Sequence, residues 1–430
     1  SSKNMKRILL TLICQVILAS VALSQQVALD NFLKTENYYM LNREFIQKEK
    51  SLTEYERLLY AAFILSAYNQ PEASNNKIKQ LFGAHNDRIS GSVKAGLYEK
   101  RIANNVRLFD YPAALQDSNL LIEKYSSLLT KERLDDIKNS SLIWIALKDV
   151  GRQRSLIQRG DSIELTKDKA GLWNVPVGIG DTVEKFIFDT GANFSVVSES
   201  IAIKNGWKIR SGGGFDVGSA TGMKVKSNIA VVDSIAIGKS VFRNVLFLVM
   251  PDEALTIRLN PLFTFSIKGI IGFPVISKFD EIEIHNSGSL KIPPVISVKH
   301  HKNFAIPSGM PILYAAVKNE VLGFNFDTGA TKSSLFKTYL DKYPEDFRTS
   351  KTVSKSIGGA GGSKQIEVFQ MESLTFQILN EPVTVRNVSV HREIKNKGEM
   401  FSFGNLGQDV FKQFSYFTMN FRDMYIEMVR

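Results

Sequence analysis

Cysteine is almost absent. Cys14 is the one thiol in 430 residues. It lies in an apolar stretch, Ile8 to Val21, with Lys6 and Arg7 before it and the small-x-small triplet Ala22-Leu23-Ser24 after it. That pattern reads as a signal peptide over residues 1–24, and the apolar run is too short for a membrane anchor. Ile13 ahead of Cys14 makes a poor lipoprotein site. Once the leader is removed, the chain has no disulfide, thiolate nucleophile or cysteine metal site. A secreted or periplasmic protein without a stable membrane span is expected.

Other chemistries are excluded in the same way. There is no Gly-x-Ser-x-Gly elbow, no His-Glu-x-x-His and no phosphate-cradling Gly-x-x-x-x-Gly-Lys-Ser/Thr loop. His300 and His301, two of only five histidines, adjoin in an extended segment. They would point to opposite sides and read as surface residues, so no metal and no cofactor are expected. The net charge of +11 includes Lys3, Lys6 and Arg7 of the leader, and the rest is spread without a dense basic run. A nucleic-acid partner would need a concentrated stripe. With 44% hydrophobic and 23% charged residues, the chain is of ordinary globular composition.

Glycine and proline are also sparse from residue 26 to about 155, where apolar residues fall at helical spacing. Ser51-x-x-Glu54 reads as a capping box ahead of Tyr55, Leu58, Leu59, Ala62, Phe63 and Leu65. Further helices are expected from Ser92 past Val106, from an opening at Tyr111-Pro112-Ala113-Ala114 with Leu120, Leu121 and Tyr125 on its apolar face, and from Leu134 to Leu147. This α-hairpin array, residues 25–155, is vaguely like tetratricopeptide repeats without meeting their signature. It is expected to fold autonomously, either as a bundle packed on the rest or as a domain that docks a protein partner. From Asp161 short alternating strands take over, as in an all-β fold. Phe186, Phe188, Phe324 and Phe326 alternate and should face cores. Pro293-Pro294 and Lys299 to Pro307 look like a joint.

What the second half contains is a repeat. Phe188-Asp189-Thr190-Gly191-Ala192 recurs letter for letter as Phe326-Asp327-Thr328-Gly329-Ala330, each copy at the end of an apolar strand-like run. Asp-Thr-Gly is also ordinary turn chemistry, but an identical copy in a matching context argues for a duplicated unit. The landmarks extend further. Gly171 answers to Gly309. Val217-Gly218-Ser219-Ala220-Thr221-Gly222 answers to Ile357-Gly358-Gly359-Ala360-Gly361-Gly362. Phe242-Arg243-Asn244-Val245 answers to Val385-Arg386-Asn387-Val388, and Gly269-Ile270-Ile271-Gly272 to Gly404-Asn405-Leu406-Gly407. Two such units, 160–295 and 303–430, suggest a pseudo-twofold pair.

The order Asp-Thr-Gly-Ala, Gly-rich hairpin, apolar-apolar-Gly resembles a lobe of the aspartic proteases, and the short lobe resembles the retropepsin-like branch. With a leader and a helical front, the whole chain resembles bacterial retropepsin-like aspartyl proteases of the Bacteroidetes type. The resemblance implies a multi-domain α+β protein: a helical domain followed by two tandem all-β acid-protease-like lobes. It implies an aspartic endopeptidase acting on a peptide or protein substrate, with a monomer expected because both lobes are in one chain. It assigns catalysis to Asp189 and Asp327, support of the active-site loops to Thr190, Gly191, Thr328 and Gly329, and a flap role to Gly218, Ser219, Ala220, Gly358, Gly359 and Ala360. Neither flap segment has the tyrosine found in pepsin-like enzymes. The rival reading is a non-catalytic, protease-like module whose groove binds extended peptides.

Overall fold

The computed structural model describes residues 27–218, 222–260 and 263–430. The expected leader, residues 1–24, along with Ser219 and Ala220, lies outside them. The front of the chain is helical, with helices Tyr38–Lys48, Glu54–Ala67, Pro71–His85, Gly91–Arg107, Tyr111–Tyr125 and Lys131–Leu147 packed successively on one another. The capping box stands two residues later than the sequence suggests. Thr53 is the N-cap, accepting from the Glu56 N–H while the Glu56 carboxylate accepts from the Thr53 N–H. Ser51 instead closes the preceding 3-10 turn by donating to the Lys48 carbonyl, so the backbone turns extended only after it. Helices Tyr38–Lys48 and Pro71–His85 are additions to the sequence expectation.

These helices do not stand apart. Leu29, Tyr38, Leu41, Tyr60, Ile64 and Tyr68 share one buried apolar cluster with Phe186, Phe273, Tyr314 and Phe326 of the β part. Polar seams reinforce the junction. The Ile306 N–H donates to the Ala67 carbonyl at 2.7 Å, and the buried Arg107 guanidinium donates to the carbonyls of Ser66 and Ile306. The Asn139 side chain pairs with both the N–H and the C=O of Asp216. The helical region therefore behaves as a wall of the molecule rather than an appended unit. A chain starting at Ser155 is expected to be less stable by on the order of 5 kcal/mol or more, because several large apolar side chains lose their cover. Urea denaturation compared with the full chain would measure this, and equal midpoints would show an independent helical unit.

The two largest of the four sheets among the described residues are built alike where it matters. In the first, Trp173–Ile179 pairs antiparallel with Thr182–Phe188, whose last residues lie parallel to Gly269–Ile271. Gly269–Ile271 also pairs antiparallel with Ser195–Ser198. In the second sheet, Ile312–Val317 pairs with Glu320–Phe326, whose end lies parallel to Gly404–Leu406, itself antiparallel to Ser334–Leu335. Phe186, Phe188, Phe324 and Phe326 are fully buried, as their alternation requires. Among the described residues, a separate five-stranded sheet joins the two parts, placing Glu281–His285 beside Tyr416–Asn420. It leaves both Asp-Thr-Gly loops at one junction. His300 and His301 are exposed on the connecting segment.

Candidate active site

Each Asp-Thr-Gly loop leaves a buried strand and is tied down in the same way. The Asp189 N–H donates to the Ile271 carbonyl and the Asp327 N–H to the Leu406 carbonyl, both at 3.0 Å. Past the loops, the Phe273 and Gln408 N–H groups donate to the carbonyls of Ala192 and Ala330. Ser195 Oγ accepts from the Gly272 N–H at 3.1 Å, and Ser333 Oγ accepts from the Gly407 N–H at 3.0 Å.

The threonines lock the two loops together. Thr190 Oγ1 donates to the Phe326 carbonyl and accepts from the Thr328 N–H, at 2.7 and 3.1 Å. Thr328 Oγ1 donates to the Phe188 carbonyl and accepts from the Thr190 N–H, at 2.7 and 3.0 Å. Both threonines are fully buried, so four backbone groups that would otherwise be orphaned are satisfied by two hydroxyls.

This lock brings the Asp189 and Asp327 side chains within hydrogen-bonding reach of each other. Each is surrounded by protein on most sides while keeping partial solvent contact. Asp189 Oδ1 accepts from the Gly191 N–H and Asp327 Oδ1 from the Gly329 N–H, both at 2.8 Å. Burial pushes both carboxyls up, Asp189 well above the ordinary range. The negative charge of Asp327 pushes Asp189 the same way, and the loop N–H groups pull back against the rise. A titratable pair close together, both members shifted upward by desolvation, is a candidate for acid–base chemistry.

The glycines are where they are because each faces the opposite carboxyl. A Cβ at Gly191 would stand 2.7 Å from Asp327 Cγ, and one at Gly329 would collide with Asp189. Gly191→Ala is expected to lower activity by about 100-fold, the usual cost of moving a reacting group by an ångström. The folded variant's rate in the reaction proposed below measures it, and an unchanged rate would mean the carboxyls can separate without loss.

Each sheet also carries a long hairpin. Ile209–Gly218 pairs with Lys224–Ile237 and Thr352–Gly359 with Gly362–Ile378. Gly218 ends the first outgoing strand, while Gly358, Gly359 and Ala360 form the end of the second. The second tip reaches the first sheet's side, where the Gly361 N–H donates to the Ala254 carbonyl at 2.7 Å and Ser363 Oγ donates to the Arg258 carbonyl at 2.9 Å. The first hairpin approaches Lys395 on the other side, and Gly362 lies beside Met223, so the two hairpins converge.

One contact was not read from the sequence. Asn405 Nδ2 donates to Asp327 Oδ2 at 2.8 Å. Its signal was there, since a polar residue occupies the slot that Ile270 fills in the first copy. Gln408, which donates to the Thr328 carbonyl at 3.2 Å, carries the same sign, standing where the first copy has Phe273.

Among known proteins, residues 175–275 match the family model described as Aspartyl protease. No curated protein matches the chain. A retropepsin-like aspartic protease from Rickettsia conorii, known from a crystal structure, is similar at 18% identity and a TM-score of 0.22. That match covers 32% of this chain and 91% of that one. The segment that carries Asp189, its strand and the Gly269–Gly272 segment thus supports an aspartic protease family for this chain.

Proposed function

We propose that the chain is an aspartic endopeptidase whose two lobes, related by a pseudo-twofold axis, each supply one catalytic aspartate. The observation that carries this reading is the pair Asp189 and Asp327, held carboxyl to carboxyl by reciprocal Thr190–Thr328 hydrogen bonds. Two adjacent buried carboxyls cannot both ionise at little cost, so they share one proton. The ionised member takes a proton from a water as that water's oxygen attacks the scissile carbonyl carbon. The protonated member gives its proton to the carbonyl oxygen. The tetrahedral species collapses with the C–N bond breaking and a proton passing to the leaving amine. No covalent enzyme intermediate forms.

The substrate is an extended peptide or protein segment running under the hairpins. The leader supports a secreted or periplasmic site of action, and the combination of leader, helical front and two lobes supports the Bacteroidetes-type retropepsin-like branch. Incubating the folded chain with a peptide library, with and without a hydroxyl-bearing transition-state analogue, tests the reading. Cleavage abolished by the analogue is expected. Absence of cleavage, or cleavage indifferent to the analogue, would overturn it.

The pH range follows from the sign of the shifts. Both carboxyls are raised by burial, so the singly protonated pair persists to higher pH than two ordinary aspartates would allow. An optimum between mildly acidic and near neutral is expected. Ala192 and Ala330 follow the two Asp-Thr-Gly triplets, where a hydroxyl could stabilise the charged form. Ala192→Ser with Ala330→Ser is expected to move the acidic limb of the kcat/KM profile downward, by about one pH unit at most. An unmoved limb would show that something else sets it.

A further inference from the structure

The two carboxyls have different neighbours. Beside Asp189, Ile270 lies in register with Ile187. Beside Asp327, the same two places hold Asn405 and Asn325. Ile270 is buried in an apolar cluster, whereas Asn405 donates its side-chain N–H to Asp327 Oδ2 at 2.8 Å. The backbone contacts do not differ in this way, since the Gly191 and Gly329 N–H groups serve the two carboxyls alike. Among the described residues, the side-chain donor on Asp327 has no counterpart on Asp189.

We propose that Asn405 is a positioning residue that fixes the shared proton, holding Asp327 as the ionised base and leaving Asp189 as the carboxyl that carries the proton. This rests on the peptidase reading given above. A hydrogen bond donated to a carboxylate favours its charged form, and an apolar neighbour favours the neutral one. The groups acting most on Asp189 are Asp327 and the N–H groups of Gly191 and Ala192. Those acting most on Asp327 are Asn405, Asp189 and the N–H groups of Gly329 and Ala330. Burial raises both, and Asn405 is the first influence pulling Asp327 back down.

The roles in the reaction then become definite. Asp327 takes a proton from water as the water oxygen bonds to the carbonyl carbon, and Asp189 gives its proton to the carbonyl oxygen, leaving a neutral gem-diol. On collapse the C–N bond breaks and the amine nitrogen takes the proton from Asp327. One diol hydroxyl returns its proton to Asp189. Both carboxyls end as they began. The amide turned the other way would instead accept a proton held by Asp327, and the two arrangements move the titration in opposite directions.

The test is a carbon-13 NMR titration of the full chain carrying carboxyl-labelled aspartate, with the two resonances identified by their loss in D189N and D327N. Asn405→Ile copies the first lobe's arrangement. It is expected to raise the lower apparent pKa of the pair by about one unit and leave the upper one in place, with the acidic limb of kcat/KM moving by the same amount. Asn405→Asp keeps the shape and sets a carboxyl against Asp327, so a larger upward shift is expected. No shift in either variant, or a downward shift in Asn405→Ile, would overturn the proposal. The titration needs no substrate. If the wild-type chain cleaves nothing, the peptidase reading fails while the NMR result still decides where the proton sits.

Discussion

Replacing either Asp189 or Asp327 by asparagine is expected to lower kcat by about 10⁴-fold while leaving the fold intact. In the proposed mechanism each carboxyl both gives and takes a proton during one turnover, so its loss would remove an acid and a base together. The same substitution makes a thermodynamic prediction with a definite sign. A carboxyl whose folded pKa lies above its unfolded one contributes its full stability below the unfolded value. That contribution is lost as pH rises through the folded value. Both aspartates are raised in this way by burial. Each asparagine variant has lost one of these two titrating carboxyls, so relative to the native chain its Tm should rise with pH from acid to neutral. Thermal melts across that range check it. A variant Tm that stays level or falls relative to the native chain on going to neutral pH would mean the carboxyls are not held above their ordinary range.

Thr328→Val is expected to cost about 2–5 kcal/mol and most of the activity. The side chain is isosteric, so packing is kept, but the Phe188 carbonyl loses its donor and the Thr190 N–H its acceptor. Both stay buried, and each unsatisfied buried group costs about 1–3 kcal/mol. Thr190→Val should behave alike, because it strands the Phe326 carbonyl and the Thr328 N–H. Since the two hydroxyls serve one junction, the double variant should cost less than the sum of the singles. Additive losses in urea denaturation would show that the two hydroxyls act independently and that the junction is not a single cooperative unit.

The parts of the site legible in the sequence were those fixed by local backbone need. Gly171 and Gly309, matched by offset alone, have φ of +82° and +88°. Asn244 and Asn387 share φ near +55°, the left-handed region that asparagine tolerates. The repeated pentapeptide marked two strand ends, and the structure places both at one junction. The five-stranded joining sheet was not legible, because pairing Glu281 with Asn420 depends on contacts far apart in the chain. The interlocking of the helices with the β core was hidden for the same reason. Amphipathic spacing says which face of a helix is apolar, not what covers it. Ser195 and Ser333 were not singled out in the sequence, and their matching bonds to Gly272 and Gly407 show a shared task.

The central claim is that one site, built within a single chain, needs both carboxyls. The direct measurement is peptide cleavage by the native chain, by D189N, by D327N, and by an equimolar mixture of the two variants. Activity in the native chain alone, with both variants and their mixture silent, is the predicted result. Substantial cleavage by either variant would contradict the shared-proton mechanism, and recovery on mixing would show that the site forms between chains.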